Sequence, residues 1–304
     1  MNILGKRYYF FLFSLLLIVP GLIVLAINGM PLSIDFIGGT ALEVQFATGN
    51  VPDTAQVKAI YDNLGITDAQ IQTTSDNTLF IRSSALSSEI NNEVMAKLRE
   101  ASGSDVTILR SDTVGPTISQ QVTTRALLAI GIAALAVIIY IAFAFRGLPH
   151  ALRYGVCAII AMLHDILVVI SVTAIGGQLF GWQVDSLFLT ALLTVIGFSV
   201  QDKIVVFDRI RENSSILRKL PFEQLANHSI IQTLQRSINT QLMTVEYMLL
   251  AIALFGGVTL REFAVILLVG LLMGTYSSIF VAAPLLVVWE NKEWRTWFGR
   301  KASA

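Results

Sequence analysis

Residues 197–212 read GFSVQDKIVVFDRIRE and place a carboxylate inside an apolar run. Gln201, Asp202 and Lys203 interrupt hydrophobic residues on both sides, and acids alternate with bases from Asp208 onward. A charged side chain at the centre of a bilayer costs at least about 2.5–3.5 kcal/mol on insertion scales. If this run crosses a membrane, Asp202 therefore needs a partner or a function.

The composition is that of a membrane protein. Hydrophobic residues make up 54% of the 304 residues and charged residues only 14%, which is far from the composition of a soluble globular domain. A bilayer core of about 30 Å requires about 20 apolar residues in a helix. Runs of this length occupy residues 8–27, 126–145, 154–176, 186–207, 237–257 and 263–289. The sequence therefore predicts a polytopic α-helical membrane protein with six transmembrane helices.

The basic residues of the short loops predict the orientation. They lie almost entirely on one side of the predicted helices, at Lys6, Arg7, Arg146, Arg153, Arg209, Arg211, Arg218, Lys219, Lys292, Arg295, Arg300 and Lys301, whereas the loops on the other side contain only Arg261. By the positive-inside rule, both termini are then cytoplasmic. This predicts a cytoplasmic N-tail with the first helix in residues 1–28, an extracytoplasmic domain in 29–124, helices two to six in 125–290 and a cytoplasmic C-tail in 291–304.

The segment 29–124 reads as a folded domain. TALEVQFA, residues 40–47, alternates apolar and polar residues like a half-buried strand, and two further strands are predicted within 69–84 and one in 105–111. Helical spacing occurs in 53–64, with Asp53 as the N-cap, and again in 88–100. The order β-α-β-β-α-β predicts an α+β ferredoxin-like domain with its helices on one face of the sheet. That fold hosts many functions and implies none by itself.

Asp202 and Arg236 are predicted to lie near the same end of neighbouring spans and to meet across the helix interface. Three interpretations are open for them: a static ion pair, two side chains that each extend to the lipid headgroups, or a carboxylate that takes and releases a proton beside its partner. Ser199 precedes Asp202 by three residues and lies on its side of the helix. Lys203, close to the interface, is expected to extend its ammonium group to the lipid headgroups.

Further polar residues occur inside the other predicted spans. His164 and Asp165 form either a hydrogen-bonded core pair or part of a proton path. Glu246 is expected to be a buried neutral acid. Gly270, Gly274 and Ser278, at four-residue spacing, predict a close helix-packing seam.

Several function classes find no support in the sequence. It contains no nucleotide-binding glycine loop, no zinc-spaced Cys/His set and no nucleophile motif in a supporting context, which predicts a protein that is not an enzyme and uses no cofactor or metal. The 21 basic residues balance the 21 acidic ones, which argues against a nucleic-acid partner. Any work that the chain does must be driven from outside it.

Six motifs occur in an order that resembles the SecF members of the SecD/SecF family, which is related to the resistance-nodulation-division transporters. They are IDFIGGT (34–40), TVGPTIS (113–119), LHDILVVISV (163–172), the run 184–213 around GFSVQD, TLQRSINT (233–240) and the run 255–286. The resemblance covers nearly all of the chain, and it implies a subunit that pairs with SecD in the cytoplasmic (inner) membrane. There it would use the proton motive force in the later stages of protein export.

The resemblance also implies partners and site residues. The partners would be the SecYEG translocon, SecA indirectly, the unfolded preprotein, membrane lipid and, as a further candidate, YajC. Asp202 would be the proton-linked carboxylate and Arg236 its partner, with possible relay or support from His164, Asp165, Gln201, Ser199 and Glu246. Gln201 and Lys203 depart from the Asn and small hydroxyl residue that flank this Asp in the family. The alternatives are a proton-coupled efflux half-transporter of the resistance-nodulation-division type and a translocon scaffold without coupling.

Overall fold

The computed structural model describes residues 2–47, 51–74, 77–146, 150–241, 247–256 and 258–294. The chain divides into two compact units. The sheet unit comprises Leu32–Ala129 and Gln183–Ser186, and the membrane unit comprises Met1–Pro31, Ile130–Trp182 and Leu187–Ala304.

Within the described ranges, the chain forms helices and four strands in the following order. They are α1 (Arg7–Asn28), α2 (Ile34–Ile37), β1 (Gly39–Phe46), α3 (Thr54–Asn63), β2 (Gln70–Thr74), β3 (Thr78–Ser83), α4 (Ser88–Ser102), β4 (Val106–Val114), α5 (Pro116–Ala144), α6 (Ala151–Phe180), α7 (Ser186–Ile216), α8 (Phe222–Gln241), α9 (Tyr247–Phe255), α10 (Val258–Ser277) and α11 (Ala283–Glu290). A short 3₁₀ turn, Leu4–Lys6, precedes α1, and a π-helical turn, Ser278–Ala282, joins α10 to α11.

The sheet unit has the predicted element order β-α-β-β-α-β, running from β1 to β4. Its four strands lie in the order β2-β3-β1-β4, and every neighbouring pair is antiparallel. In β1, the apolar residues Leu42, Val44 and Phe46 are buried and point toward the core. Glu43 and Gln45 alternate with them and point to the other face of the sheet. The predicted strand at 40–47 thus corresponds to β1, shifted by one residue.

The core of the sheet unit lies between the sheet and the helices α3 and α4. Val57 and Tyr61 of α3 and Val94 and Leu98 of α4 are fully buried, at the helical spacing that the sequence shows. Ser87 caps α4, since its hydroxyl accepts a hydrogen bond from the backbone of Ile90. Asp53 occupies the N-cap of α3 as predicted, but its side chain forms no capping hydrogen bond.

A glycine pair makes the transition from α2 into β1. Gly38 ends α2 with a φ of 78°, and Gly39 begins β1 with a φ of 133°. A Cβ atom at Gly39 would lie 2.5 Å from the carbonyl oxygen of Ser83, on the neighbouring strand. Both the left-handed backbone and this close approach require glycine.

In the part of the chain that the structure describes, five helical segments are long and apolar enough to cross a membrane: Leu4–Asn28, Pro116–Ala144, Ala151–Phe180, Ser186–Ile216 and Leu260–Glu290. They correspond to five of the six predicted spans. The remaining prediction, 237–257, includes residues 242–246, which lie outside the described residues. On either side of them, α8 ends at Gln241 and α9 begins at Tyr247.

Small residues allow the helices of the membrane unit to pack closely. A Cβ atom at Gly21 of α1 would lie 2.3 Å from Ser171 Cα of α6, and the Ser171 hydroxyl donates to the carbonyl of Ile18 over 2.8 Å. On α10, a Cβ atom at Gly270 would lie 2.2 Å from Val195 of α7, and one at Gly274 would lie 3.4 Å from Ser199. The predicted seam is therefore confirmed at Gly270 and Gly274.

Candidate functional site

A buried carboxylate on α6 receives hydrogen bonds from α7 and α10. Asp165 is completely buried. Its Oδ2 atom accepts from Ser199 Oγ at 2.6 Å, Ser277 Oγ at 2.7 Å and Lys203 Nζ at 2.8 Å. We call Asp165, Ser199, Lys203 and Ser277 the Asp165 cluster. The cluster ties three apolar helices together through charged and hydroxyl groups, which is rare in membrane interiors and typical of functional sites.

Lys203 is also completely buried, so the expectation that its ammonium group reaches the headgroups is wrong. Nζ donates to Asp165, to Ser199 Oγ at 2.6 Å and to Ser277 Oγ at 2.9 Å, and it lies 3.2 Å from the carbonyl of Ser199. Ser199 lies one turn before Lys203 on the same face of α7, and Asp165 supplies the opposite charge. All three ammonium protons therefore have acceptors inside the protein, and the group needs no hydrogen bond to water.

His164 extends the cluster toward α10 and α1. Its Nδ1 atom lies 2.9 Å from Asp165 Oδ1, which confirms the predicted hydrogen-bonded pair. Its Nε2 atom is buried and has no hydrogen-bond partner among the described residues. The imidazole ring stacks on Tyr276, with ring centroids 6.2 Å apart, and Tyr276 Oη donates to the carbonyl of Phe10 on α1 over 2.9 Å. Because an ionised carboxylate can only accept, Nδ1 is the donor in the pair.

Asp202 forms a second centre on another face of α7. Its residue is 8% exposed, and Oδ2 accepts from Gln241 Nε2 of α8 at 3.0 Å and from Thr275 Oγ1 of α10 at 3.1 Å. Both partners are uncharged. In the part of the chain that the structure describes, no basic side chain forms an ion pair with Asp202. Successive residues of a helix point about 100° apart, so Asp202 and Lys203 contact different neighbours.

The predicted contact between Asp202 and Arg236 is not formed. Arg236 is exposed, because the buried stripe of α8 runs through Ser229, Thr233, Ser237 and Gln241 and leaves Arg236 at its edge. Asp202 contacts α8 at Gln241, five residues beyond Arg236, which is about 7.5 Å along a helix axis. The functional role of Arg236 stays a prediction.

The other predicted site residues separate. Ser199 belongs to the Asp165 cluster rather than to Asp202, since its hydroxyl donates to Asp165. Gln201 is exposed. Glu246 lies outside the described residues.

Three site residues escaped the sequence reasoning: Gln241, Thr275 and Ser277. Thr275 and Ser277 belong to the polar group TYSS, residues 275–278, which interrupts the apolar run of the last span just as QDK interrupts that of α7. That interruption was the available signal. Gln241 carries no such signal, because it follows a polar stretch of α8.

Among the described residues, the long apolar helices and the ionisable side chains buried in their interior define an integral membrane protein with a candidate functional site. The model of the family described as "Protein export membrane protein SecD/SecF, C-terminal" matches residues 93–292, and that described as "SecD/SecF GG Motif" matches residues 23–49. The chain belongs to the SecD/SecF family of protein-export membrane proteins.

The similarity to individual relatives extends along nearly the whole chain. A protein translocase subunit SecF of Anaerolinea thermophila is 69% identical over 99% of this chain and 98% of its own length. The SecF subunit of Thermobaculum terrenum is 46% identical over 98% of this chain and 97% of its own length. Family membership therefore makes the chain a Sec translocase accessory subunit.

Longer relatives combine a similar region with additional sequence. A crystal structure of SecDF, a translocon-associated membrane protein from Thermus thermophilus, matches with a TM-score of 0.82 and 35% identity over 96% of this chain. A second SecDF crystal structure, in a super-membrane-facing form, matches with a TM-score of 0.65 and 32% identity over 97% of this chain. The present chain spans 39% of each SecDF chain.

Proposed function

We propose that this chain pairs with SecD and uses the proton motive force to promote the later stages of preprotein export, with Asp202 as the carboxylate that takes and releases the proton. The observation that carries the proposal is the setting of Asp202, which is buried in an apolar span and, among the described residues, hydrogen-bonded only to uncharged groups. A proton can bind to such a carboxylate or leave it without breaking an ion pair. A carboxylate locked to a lysine, as Asp165 is, lacks that freedom.

The longer relatives support the choice of SecD as partner, because the region that resembles this chain is part of a single SecDF chain in them. We infer six spans, which are the five apolar segments described above and the predicted helix at 237–257. We also infer a ferredoxin-like domain at 29–124, supported by its strand order and antiparallel pairing. The distribution of basic residues supports cytoplasmic termini in an inner membrane, with that domain outside. SecYEG, SecA, the preprotein and YajC remain partners that the resemblance proposes.

Protonation of Asp202 would change its contacts with two helices at once. The ionised carboxylate accepts from Gln241 of α8 and Thr275 of α10. The protonated acid carries an O–H donor and needs an acceptor, which the Gln241 amide can supply by presenting its oxygen. The proton thereby changes the hydrogen bonds that join α7 to α8 and α10. One charge that crosses 100 mV supplies about 2.3 kcal/mol, enough to bias a two-state packing.

Arg236 fits this scheme as a group that approaches Asp202 in the other packing state. It lies at the edge of the buried stripe of α8, so a modest rotation of that helix would turn it inward. A guanidinium beside the carboxylate would favour loss of the proton, which would complete a cycle.

The test is preprotein export with and without a proton gradient, using oriented membranes that carry the complex with SecD. We expect Asp202→Asn to abolish the component that the gradient stimulates while assembly is retained, and Arg236→Met to reduce it strongly. Asp208→Asn is the matched control, because Asp208 is an exposed carboxylate on the same helix. It should leave the stimulated component intact.

Other outcomes select the alternatives. If the stimulated component persists in both Asp202→Asn and Arg236→Met, the chain is a scaffold without proton coupling. If the chain without SecD conducts protons when a small molecule is added, it is an efflux half-transporter.

A further inference from the structure

The ammonium group of Lys203 lies in a cage of oxygen atoms. Asp165 Oδ2 is 2.8 Å from Nζ, Ser199 Oγ 2.6 Å, Ser277 Oγ 2.9 Å and the Ser199 carbonyl oxygen 3.2 Å. Asp165, Lys203 and Ser277 are completely buried, and Ser199 is 1% exposed. Three helices contribute to the cage, so it is fixed by tertiary packing and not by one flexible side chain.

Carboxylate, hydroxyl and carbonyl oxygens are the groups that bind hard cations in proteins. Transporters bind Na⁺ with such groups where a membrane helix is irregular. Here the regular geometry of α10 ends at Ser277, and the π-helical turn Ser278–Ala282 follows directly. Such turns occur often at functional sites.

The charge of the cage fits a monovalent cation. Asp165 is its one acidic side chain, and Lys203 supplies one positive charge, so the occupied cage is neutral. The pairing of His164 with Asp165 Oδ1 orients the carboxylate from the side opposite to the hydroxyl groups. A divalent ion would leave an excess charge buried among apolar helices, which is costly.

We propose that Asp165, Ser199 and Ser277 form a monovalent-cation site that the chain fills with its own Lys203 ammonium group, so that Na⁺ is excluded. Removal of the lysine side chain would remove the positive charge that neutralises Asp165 and leave four oxygen atoms around the position of the ammonium group. The site would then bind Na⁺ from solution. The proposal does not depend on the role of Asp202, which has different partners.

The experiment measures the thermal midpoint Tm of the full chain, purified in detergent, in NaCl and in N-methylglucamine chloride at equal ionic strength. For Lys203→Ala we expect Tm to be about 2–4 °C higher in NaCl, the size of shift that a ligand at several times its dissociation constant produces. Lys203→Thr should respond in the same way. The wild type and Lys219→Ala, which removes an exposed lysine, should give the same Tm in both salts. Lys203→Ala combined with Asp165→Asn should lose the response.

Three results would overturn the proposal. The first is the absence of a Na⁺ response in both Lys203 variants. The second is a Na⁺ response of the wild type that disappears in Asp165→Asn, because the site would then be open with the lysine in place. The third is a Lys203→Ala chain and a Lys203→Thr chain that stay unfolded in both salts, because a cage that accepts Na⁺ would be stabilised by it.

Discussion

Lys203 Nζ and Asp165 Oδ2 form a buried ion pair across 2.8 Å, between side chains that are 0% and 1% exposed. Removing two charges from water is expensive, and the attraction between them repays that cost only when the remaining donors and acceptors are satisfied. Ser199 and Ser277 meet this condition, since each hydroxyl donates to Asp165 and accepts from Lys203. The pair therefore specifies how α6, α7 and α10 fit together.

The first prediction concerns the loss of one partner of this pair. We expect Lys203→Met to lower the free energy of unfolding by about 3–5 kcal/mol in Na⁺-free buffer, because the Asp165 carboxylate is left buried without its counter-charge. Adding Asp165→Asn should restore most of this stability, since no uncompensated charge then remains. The measurement is a denaturant titration of the full chain in mixed micelles. Equal losses in the single and double variants would show that the charges contribute little.

The second prediction concerns the contact between α1 and α6. Gly21→Ala places a Cβ atom 2.3 Å from the backbone of Ser171, so the helices must separate and the bond from Ser171 to Ile18 must lengthen. We expect a loss of about 1–3 kcal/mol in the free energy of unfolding, as for other overpacked sites. Gly131→Ala in α5 is the control, because nothing lies within 4 Å of the added atom. A comparable loss in Gly131→Ala would contradict the packing explanation, because helix propensity by itself favours Ala over Gly.

The sequence predicted those features that depend on local pattern. The alternation in β1 and the helical spacing of α3 and α4 gave the β-α-β-β-α-β order, because one buried face repeats with the period of the element. Asp202 was recognised as a special position because a charge in an apolar run is costly wherever the run packs.

The partners of these residues could not be predicted in the same way. Whether Lys203 extends to water or pairs inside depends on Asp165, which is 38 positions away on another helix. Whether Asp202 meets Arg236 or Gln241 depends on the rotation of α8 about its axis, which neither hydropathy nor spacing determines. Such contacts follow from tertiary packing. Of the partner residues that the sequence reasoning missed, only Thr275 and Ser277 had a signal in the sequence, the TYSS interruption of the last span.

The third prediction is a pH dependence in the sheet unit. Burial raises the pKa of Tyr61 above the usual value of about 10, and its hydroxyl has no hydrogen-bond partner among the described residues. The unfolded chain therefore loses this proton at a lower pH than the folded one. The stability that this provides is complete below about pH 10 and is lost as the pH rises further toward the folded pKa.

Tyr61→Phe removes this dependence. We expect the variant to be as stable as the wild type at neutral pH, since the lost hydroxyl was unsatisfied, and to unfold at a higher alkaline pH. The measurement is the Tm of the full chain as a function of pH above neutrality. Tyr9→Phe, at a tyrosine that is 74% exposed, is the control and should follow the wild type. The same alkaline midpoint in Tyr61→Phe and wild type would contradict the assignment.

The last prediction separates the hydrogen bonds of Asp202 from its charge. Gln241→Leu and Thr275→Val each remove one donor from the carboxylate and leave its ability to bind a proton intact. If protonation acts through these bonds, each variant should lower the gradient-stimulated component of export several-fold, less than Asp202→Asn does, and should shift the pH at which that component is half-maximal. Gln201→Leu is the matched control for Gln241→Leu, because Gln201 is exposed on the same helix as Asp202. A lower rate with an unchanged pH profile would mean that Gln241 and Thr275 only hold the helices in place. Protonation of Asp202 would then act on the helix packing through other contacts.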